Sequence, residues 1–102
     1  MDRVLRHVVM FQFKEGTADD TIREIEAAFA ALPDRIEEIL DFEWGTDVSV
    51  EGKAGGFSHC FLVSFASEAD RDTYLPHSSH QEFVALARPH VEKSLVLDYW
   101  RE

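Results

Sequence analysis

The sequence predicts an α+β domain of ferredoxin-like order, β-α-β-β-α-β, built on a four-stranded antiparallel sheet. Three observations predict it. First, runs rich in β-branched and aromatic residues recur at 4–14, 39–50, 57–66 and 94–100, with side chains alternating between two faces. Second, helical patterns lie between the first and second runs and between the third and fourth, which is the split βαβ order. Third, the first and third runs are apolar on both faces, so neither face of the sheet suits water. At 102 residues the chain is a single domain spanning 1–102, with no linker, repeat or low-complexity tract.

The first run, VLRHVVMFQFK, puts His7, Val9, Phe11 and Phe13 on one face and Val8, Met10 and Gln12 on the other. Residues 16–35 follow as a helix. Thr17 and Asp20 suggest a capping box, and Asp19 adds negative charge to the first turn. Ile22, Ile25, Phe29 and Leu32 form its apolar stripe, and Pro33 stops it. Residues 39–50, ILDFEWGTDVSV, read as a strand with Phe42 and Trp44 on one face, and EGKAGG after them as a loop. In FSHCFLVSFA, residues 57–66, Phe57, His59, Phe61, Val63 and Phe65 oppose Ser58, Cys60, Leu62 and Ser64. A short helix at 67–75 is capped by Ser67 and broken by Pro76. A further helix at 79–88 has Ser79 and Glu82 in capping-box relation, and Pro89 interrupts or ends it. SLVLDYW, residues 94–100, closes the sheet. The bulkier face, with His7, Val9, Phe11, Phe13, Phe61, Val63 and Phe65, is assigned to the helices. The other carries Val8, Met10, Cys60 and Leu62, and its expected cover is a second copy of the same sheet, making a twofold homodimer.

Charge removes whole classes of partner. Twenty acidic against ten basic residues give a net charge of −10, without a basic cluster. Nucleic acid, which demands a basic face, is excluded on that ground, and an anionic membrane surface is disfavoured. No apolar run approaches the roughly 18 residues that span a bilayer. The opening MDRVLRHVVMFQF reads as a strand rather than a signal peptide. One cysteine, Cys60, fits a reducing compartment, and the cytoplasm is the expected location.

Chemistry concentrates in YLPHSSHQEF, residues 74–83, where one tyrosine and two of the five histidines fall together. His80 shares a helix face with Phe83 and Ala87. It reads either as a packed ring bonded to backbone or as a neutral imidazole able to take a proton. The helix N-terminus favours the neutral form. Tyr74 reads as a core-edge residue or as a hydroxyl partner for His80 or a bound carbonyl. His7 and His59 alternate with large apolar residues. They are either satisfied core histidines or polar groups converging in an apolar pocket. The His77/His80 spacing lacks the third and fourth ligands of a metal site, and no metal or other cofactor is expected.

Five segments in register, RHVVMFQFK, EWGTDVS, GFSHCFLVSFAS, YLPHSSHQEF and LVLDYW, resemble the stress-responsive dimeric α/β barrel (Dabb) family. The resemblance covers essentially the whole chain. It implies a ferredoxin-like protomer and a homodimer whose two sheets form a barrel. A plant polyketide cyclase of that family works without a metal in a pocket between sheet and helices. By this resemblance, His80 and Tyr74 are the catalytic candidates, and His7, His59, His77 and Phe29 the substrate-binding ones. The cyclase has a tyrosine where this chain has Phe29, and a phenyl ring offers no hydroxyl.

Two functions follow as expectations. One is a pocket for a small, largely apolar carbonyl compound, served by cofactor-independent histidine acid–base chemistry of cyclase or lyase type. The other is a non-catalytic, stress-associated structural or oligomeric protein.

Overall fold

A computed structural model of the chain describes residues 3–102. Strands β1 (Val4–Phe13), β2 (Asp41–Thr46), β3 (His59–Phe65) and β4 (Val91–Arg101) form one antiparallel sheet in the order β2-β3-β1-β4. Helix α1 (Asp19–Ala30) joins β1 to β2. Helices α2 (Glu68–Tyr74) and α3 (Ser78–Ala87) join β3 to β4. This is the expected ferredoxin-like order, with the second crossover divided at Pro76.

Register places the faces. Val9 of β1 stands between Phe61 of β3 and Val96 of β4, and His7 between Val63 and Asp98. The helix-facing row of Leu5, His7, Val9 and Phe11 is buried, as are Phe61, Val63 and Phe65. Ile25 and Phe29 of α1, Tyr74 of α2, and Phe83 and Ala87 of α3 cover them. Phe29 stacks on Phe61 with ring centroids 4.4 Å apart and meets Phe83 at 4.5 Å. The opposite face is apolar too. Beside Val8, Met10, Cys60 and Leu62, β4 adds Leu95, Leu97 and Tyr99, all exposed and in register with Met10, Val8 and Arg6.

The helix starts differ from the capping boxes read in the sequence. Thr17 donates its hydroxyl to the Lys14 carbonyl (2.6 Å), so it closes the turn after β1 and cannot cap. The cap position of α1 is Ala18, without a side-chain bond. Ser79 lies inside α3, whose cap is His77: its Nδ1 accepts from the Ser79 N–H at 3.1 Å. Pro76 ends α2 and the His77 N–H bonds the Tyr74 carbonyl (3.1 Å), which sets His77 at the head of α3. Ser67 caps α2 as expected, accepting from the Asp70 N–H at 3.1 Å.

Strand limits also move: β2 starts at Asp41 rather than 39 and β3 spans His59–Phe65 rather than 57–66. β2 ends at Thr46, short of the predicted residue 50, because the chain turns into a loop with positive φ at Gly52, Gly55 and Gly56. Gly56 has φ +90°, a backbone conformation in which any side chain is strained, and a Cβ there would also stand 2.8 Å from the Gln12 amide. β4 starts at Val91 because Pro89 sits in a 3₁₀ turn, Arg88–His90, and pairing with Phe13 resumes directly after it.

Ser67→Ala removes the single side-chain cap of α2. It is expected to cost about 1 kcal/mol, read as a lower midpoint in urea denaturation with an unchanged slope.

Candidate functional site

A cavity of about 600 Å³ lies between the helix-facing side of β1 and β4 and the helices α2 and α3. Val9, Phe11, Phe29, Phe83, Val84 and Ala87 make its walls apolar, and His7, Tyr74, His80, Arg71 and Asp98 supply polar groups. Arg88, Glu92 and Lys93 also line it.

His80 stands in the first turn of α3, with Nδ1 2.8 Å from the Leu75 carbonyl oxygen. A carbonyl only accepts, so Nδ1 carries a hydrogen. In the neutral ring Nε2 then keeps its lone pair. Burial pushes the imidazole below its ordinary pKa, and His7 and His77 add to that. The Leu75 hydrogen bond opposes it. The lowering anticipated from the sequence is present, with burial rather than the helix terminus as its leading cause.

The Tyr74 ring packs between the two histidines. Its centroid is 4.4 Å from that of His80 and 5.8 Å from that of His7. It is fully buried, yet its hydroxyl is the one buried side-chain polar atom without a partner among the described residues. Leaving such a group unpaired costs about 1–3 kcal/mol. Burial drives its pKa far upward, so the group stays a phenol and a donor.

His7 is held by a partner that the sequence did not reveal. Its Nδ1 lies 2.7 Å from Asp98 Oδ1, and Arg71 Nη1 reaches Asp98 Oδ2 at 3.3 Å. A carboxylate only accepts, so Nδ1 donates and Nε2 of the neutral ring is free to accept. His7 and Asp98 are direct cross-strand neighbours in the antiparallel β1–β4 pair. Pairing the first strand with the last was the signal that would have found Asp98. Arg71 had none.

Not all the candidates meet at the cavity. His7, Phe29, Tyr74 and His80 line it; His59 and His77 do not. His59 belongs to β3, on the β2 side of β1, whereas the cavity lies on the β4 side. Its Nε2 is 2.7 Å from Glu26 Oε2 and its Nδ1 2.8 Å from Ser58 Oγ. The expected convergence of His59 with Tyr74 therefore does not occur. His77 spends its Nδ1 on capping α3. Cys60 sits half-buried on the outer face, its thiol pushed upward in pKa by burial and by Glu43. Among the described residues no three His, Cys, Asp or Glu side chains group as a metal site would require, and no helix is long and apolar enough to cross a membrane.

The sheet order and the crossovers define a small ferredoxin-like α+β protomer. The chain belongs to the Dabb family, the stress responsive A/B barrel domain, which matches residues 5–101. It is 35% identical over 95 residues to the stress-response A/B barrel domain-containing protein HS1 of Arabidopsis thaliana, covering 93% of this chain and 87% of that one. It is 28% identical to olivetolic acid cyclase of Cannabis sativa, covering 93% and 94%. Among solved structures, the hydroxynitrile lyase of Passiflora edulis superimposes with a TM-score of 0.91 at 31% identity, covering 97% of this chain and 94% of that one. A protein of unknown function from Jannaschia sp., described as dimeric and ferredoxin-like, superimposes with a TM-score of 0.82 at 26% identity, covering 94% and 97%.

The lowered pKa of His80 has a sign that can be checked. The folded ring binds a proton less readily than the ring in the unfolded chain, so its contribution destabilises the fold as pH falls below the ordinary value of 6.5. NMR titration of the His80 ring is expected to give a midpoint below 6.5. His80→Gln is expected to flatten the loss of stability on the acid side. A midpoint at or above the ordinary value would contradict the burial described.

Proposed function

We propose that the cavity binds a small, largely apolar carbonyl compound and that His80 and Tyr74 act on it by cofactor-independent acid–base chemistry of cyclase or lyase type. One observation carries this reading: an unprotonated imidazole and an unpartnered buried phenol share the wall of an apolar cavity. His80 Nε2 takes a proton from carbon next to the carbonyl in the cyclising direction, or from the hydroxyl of an adduct in the cleaving direction. The Tyr74 hydroxyl donates to the oxygen on which negative charge grows. The imidazolium then returns the proton to the product. His7, oriented by Asp98, is a second polar contact, and Phe29 shapes the apolar wall. The similarity to a cyclase and to a lyase supports the reaction class. Where the cyclase resemblance implies a tyrosine, Phe29 removes a hydroxyl, so the ligand differs at that wall.

The protein also pairs with itself in this reading. The outer face of Val8, Met10, Cys60, Leu62, Leu95, Leu97 and Tyr99 is too apolar to be left in water. A second copy laid sheet to sheet covers it, and the dimeric Jannaschia relative supports that arrangement. The reading places the protein in the cytoplasm, and its net charge of −10 argues against nucleic acid and anionic membrane surfaces as partners. A non-catalytic, stress-associated dimer is the second reading, favoured by that same outer face.

Tyr74→Phe separates function from stability by sign. It removes an unpaired hydroxyl and keeps the ring, so stability in urea is expected to hold or rise. Binding of aryl ketones, followed by calorimetry, is expected to weaken. His80→Ala is expected to cut turnover by about 10²–10⁴ while the fold remains. If His80→Ala lowers only stability, by about 1–3 kcal/mol, and the wild-type cavity takes up no ketone, the non-catalytic reading stands.

Leu62→Asp buries an unpaired charge in the proposed sheet-to-sheet contact, which is costly. Sedimentation is expected to show a dimer for the wild type and a monomer or unfolded chain for the variant. A wild-type monomer at micromolar concentration would overturn the assembly.

A further inference from the structure

We propose that the compound taken up by the first cavity carries a carboxylate as well as a carbonyl, and that Arg88 holds the carboxylate at the end of the cavity away from His80. The ligand class is an elongated keto acid with an apolar body. This rests on the carbonyl-binding reading above and narrows it.

One wall of the cavity is a single face of α3. His80, Phe83, Val84, Ala87 and Arg88 all line it. Steps of three and four residues are the stripe that one side of an α-helix presents. Arg88 closes α3 in helical conformation, with φ −49° and ψ −45°. At about 1.5 Å of rise per residue, Arg88 therefore stands about 12 Å along the helix axis from His80. The stripe between them is apolar. A ligand with its carbonyl at His80 and Tyr74, and its body over Phe83, Val84 and Ala87, brings its other end to Arg88.

Charge selects what that end is. The cationic side chains of the lining are Arg71, Arg88 and Lys93. Arg71 is already engaged by Asp98 at 3.3 Å and Asp72 at 3.1 Å. Lys93 Nζ donates to the Gly55 carbonyl at 2.7 Å and lies 4.5 Å from the Phe57 ring centroid. Arg88 is the one of the three left without such a partner among the described residues. Its guanidinium is a planar fork of donors that matches two carboxylate oxygens at once.

Two opposing terms are smaller. The C-terminal end of α3 bears about half a negative charge, which the full charge of Arg88 outweighs at contact. The chain's net charge of −10 repels anions from afar, but at 0.1 M salt that repulsion is screened beyond about 10 Å. Arg88 is also exposed. The carboxylate therefore stays in water at the mouth, and only the apolar body and the carbonyl are desolvated. Access is compatible with the proposed dimer. The sheet-to-sheet contact covers the opposite face, including a cavity of about 870 Å³ that opens on Val8, Met10, Leu62 and Leu95. The first cavity lies on the helix side.

Calorimetry on the full-length chain tests this with the para-acetyl derivative of phenylbutanoic acid and the matching primary amide. The acid is expected to bind about fivefold tighter at low salt, and the difference to shrink as salt rises. The para-acetyl derivative of benzoic acid is too short to span the stripe and is expected to gain nothing over its amide. Arg88→Met keeps an unbranched stem and removes the charge. It is expected to bring the long acid and its amide to equal affinity, and Arg88→Lys to restore part of the difference. Equal affinity of the long pair in the wild type overturns the carboxylate site and leaves the carbonyl-binding reading standing. So does a preference that persists in Arg88→Met, or one that the short pair shows equally. If neither long compound binds, both readings fail. Should Arg88→Met fail to fold, the wild-type long and short pairs decide.

Discussion

The Phe29 ring is the wedge on which the rest of the structure depends. It rests on Phe61 of the sheet and touches Phe83 of α3 and Phe42 of β2, with centroids 4.4, 4.5 and 5.3 Å away. One side chain from α1 thereby couples both crossovers to the sheet. Aromatic pairs of this kind add about 0.5–1.5 kcal/mol each beyond the burial of their area. More important is position: the ring fixes how α1 and α3 sit over the strands and at the same time forms a wall of the first cavity. Packing and site share an atom set, so neither can be altered alone.

The cavity is a consequence of incomplete cover. Phe61, Val63 and Phe65 of β3 are fully buried, and the helix-facing row of β1 nearly so. β4 is not sealed in the same way: Ser94 and Val96 face the helix side and remain exposed. The space left above β1 and β4 is where His7, Tyr74 and His80 meet. On the other face no helix packs among the described residues, and β4 again contributes exposed apolar residues. One edge strand thus leaves a pocket on one side and an apolar patch on the other.

How much of this was legible in the chain depended on whether the controlling contact was local. Period-two alternation gave both sheet faces, because side-chain direction in a strand is set by the backbone itself. His80, Tyr74 and Phe29 were readable from the helix faces and the family resemblance together. Asp98 and Arg71 were not, since their role exists only once the last strand lies beside the first. His59 was put on the correct face but at the wrong pocket, because lateral order in a sheet leaves no periodic mark in the sequence. His77 was misjudged for a local reason: Pro76 ends one helix and leaves the next to be capped by an imidazole, a less common cap than the Ser79 hydroxyl beside it.

The two proposed reactive groups owe their protonation states chiefly to one shared cause, burial. Burial penalises charge, so it lowers the pKa of an imidazole and raises that of a phenol. In this wall it does both within 4.4 Å, leaving His80 unprotonated and Tyr74 protonated. A base able to accept and an acid able to donate therefore stand together near neutral pH, in the forms acid–base chemistry needs. The fold bears a cost for the arrangement, because the Tyr74 hydroxyl finds no partner within the chain. A phenylalanine would fill the same space without that penalty. In the proposed reading, that unpaired donor is kept for an acceptor from outside the chain, such as the oxygen of a carbonyl compound.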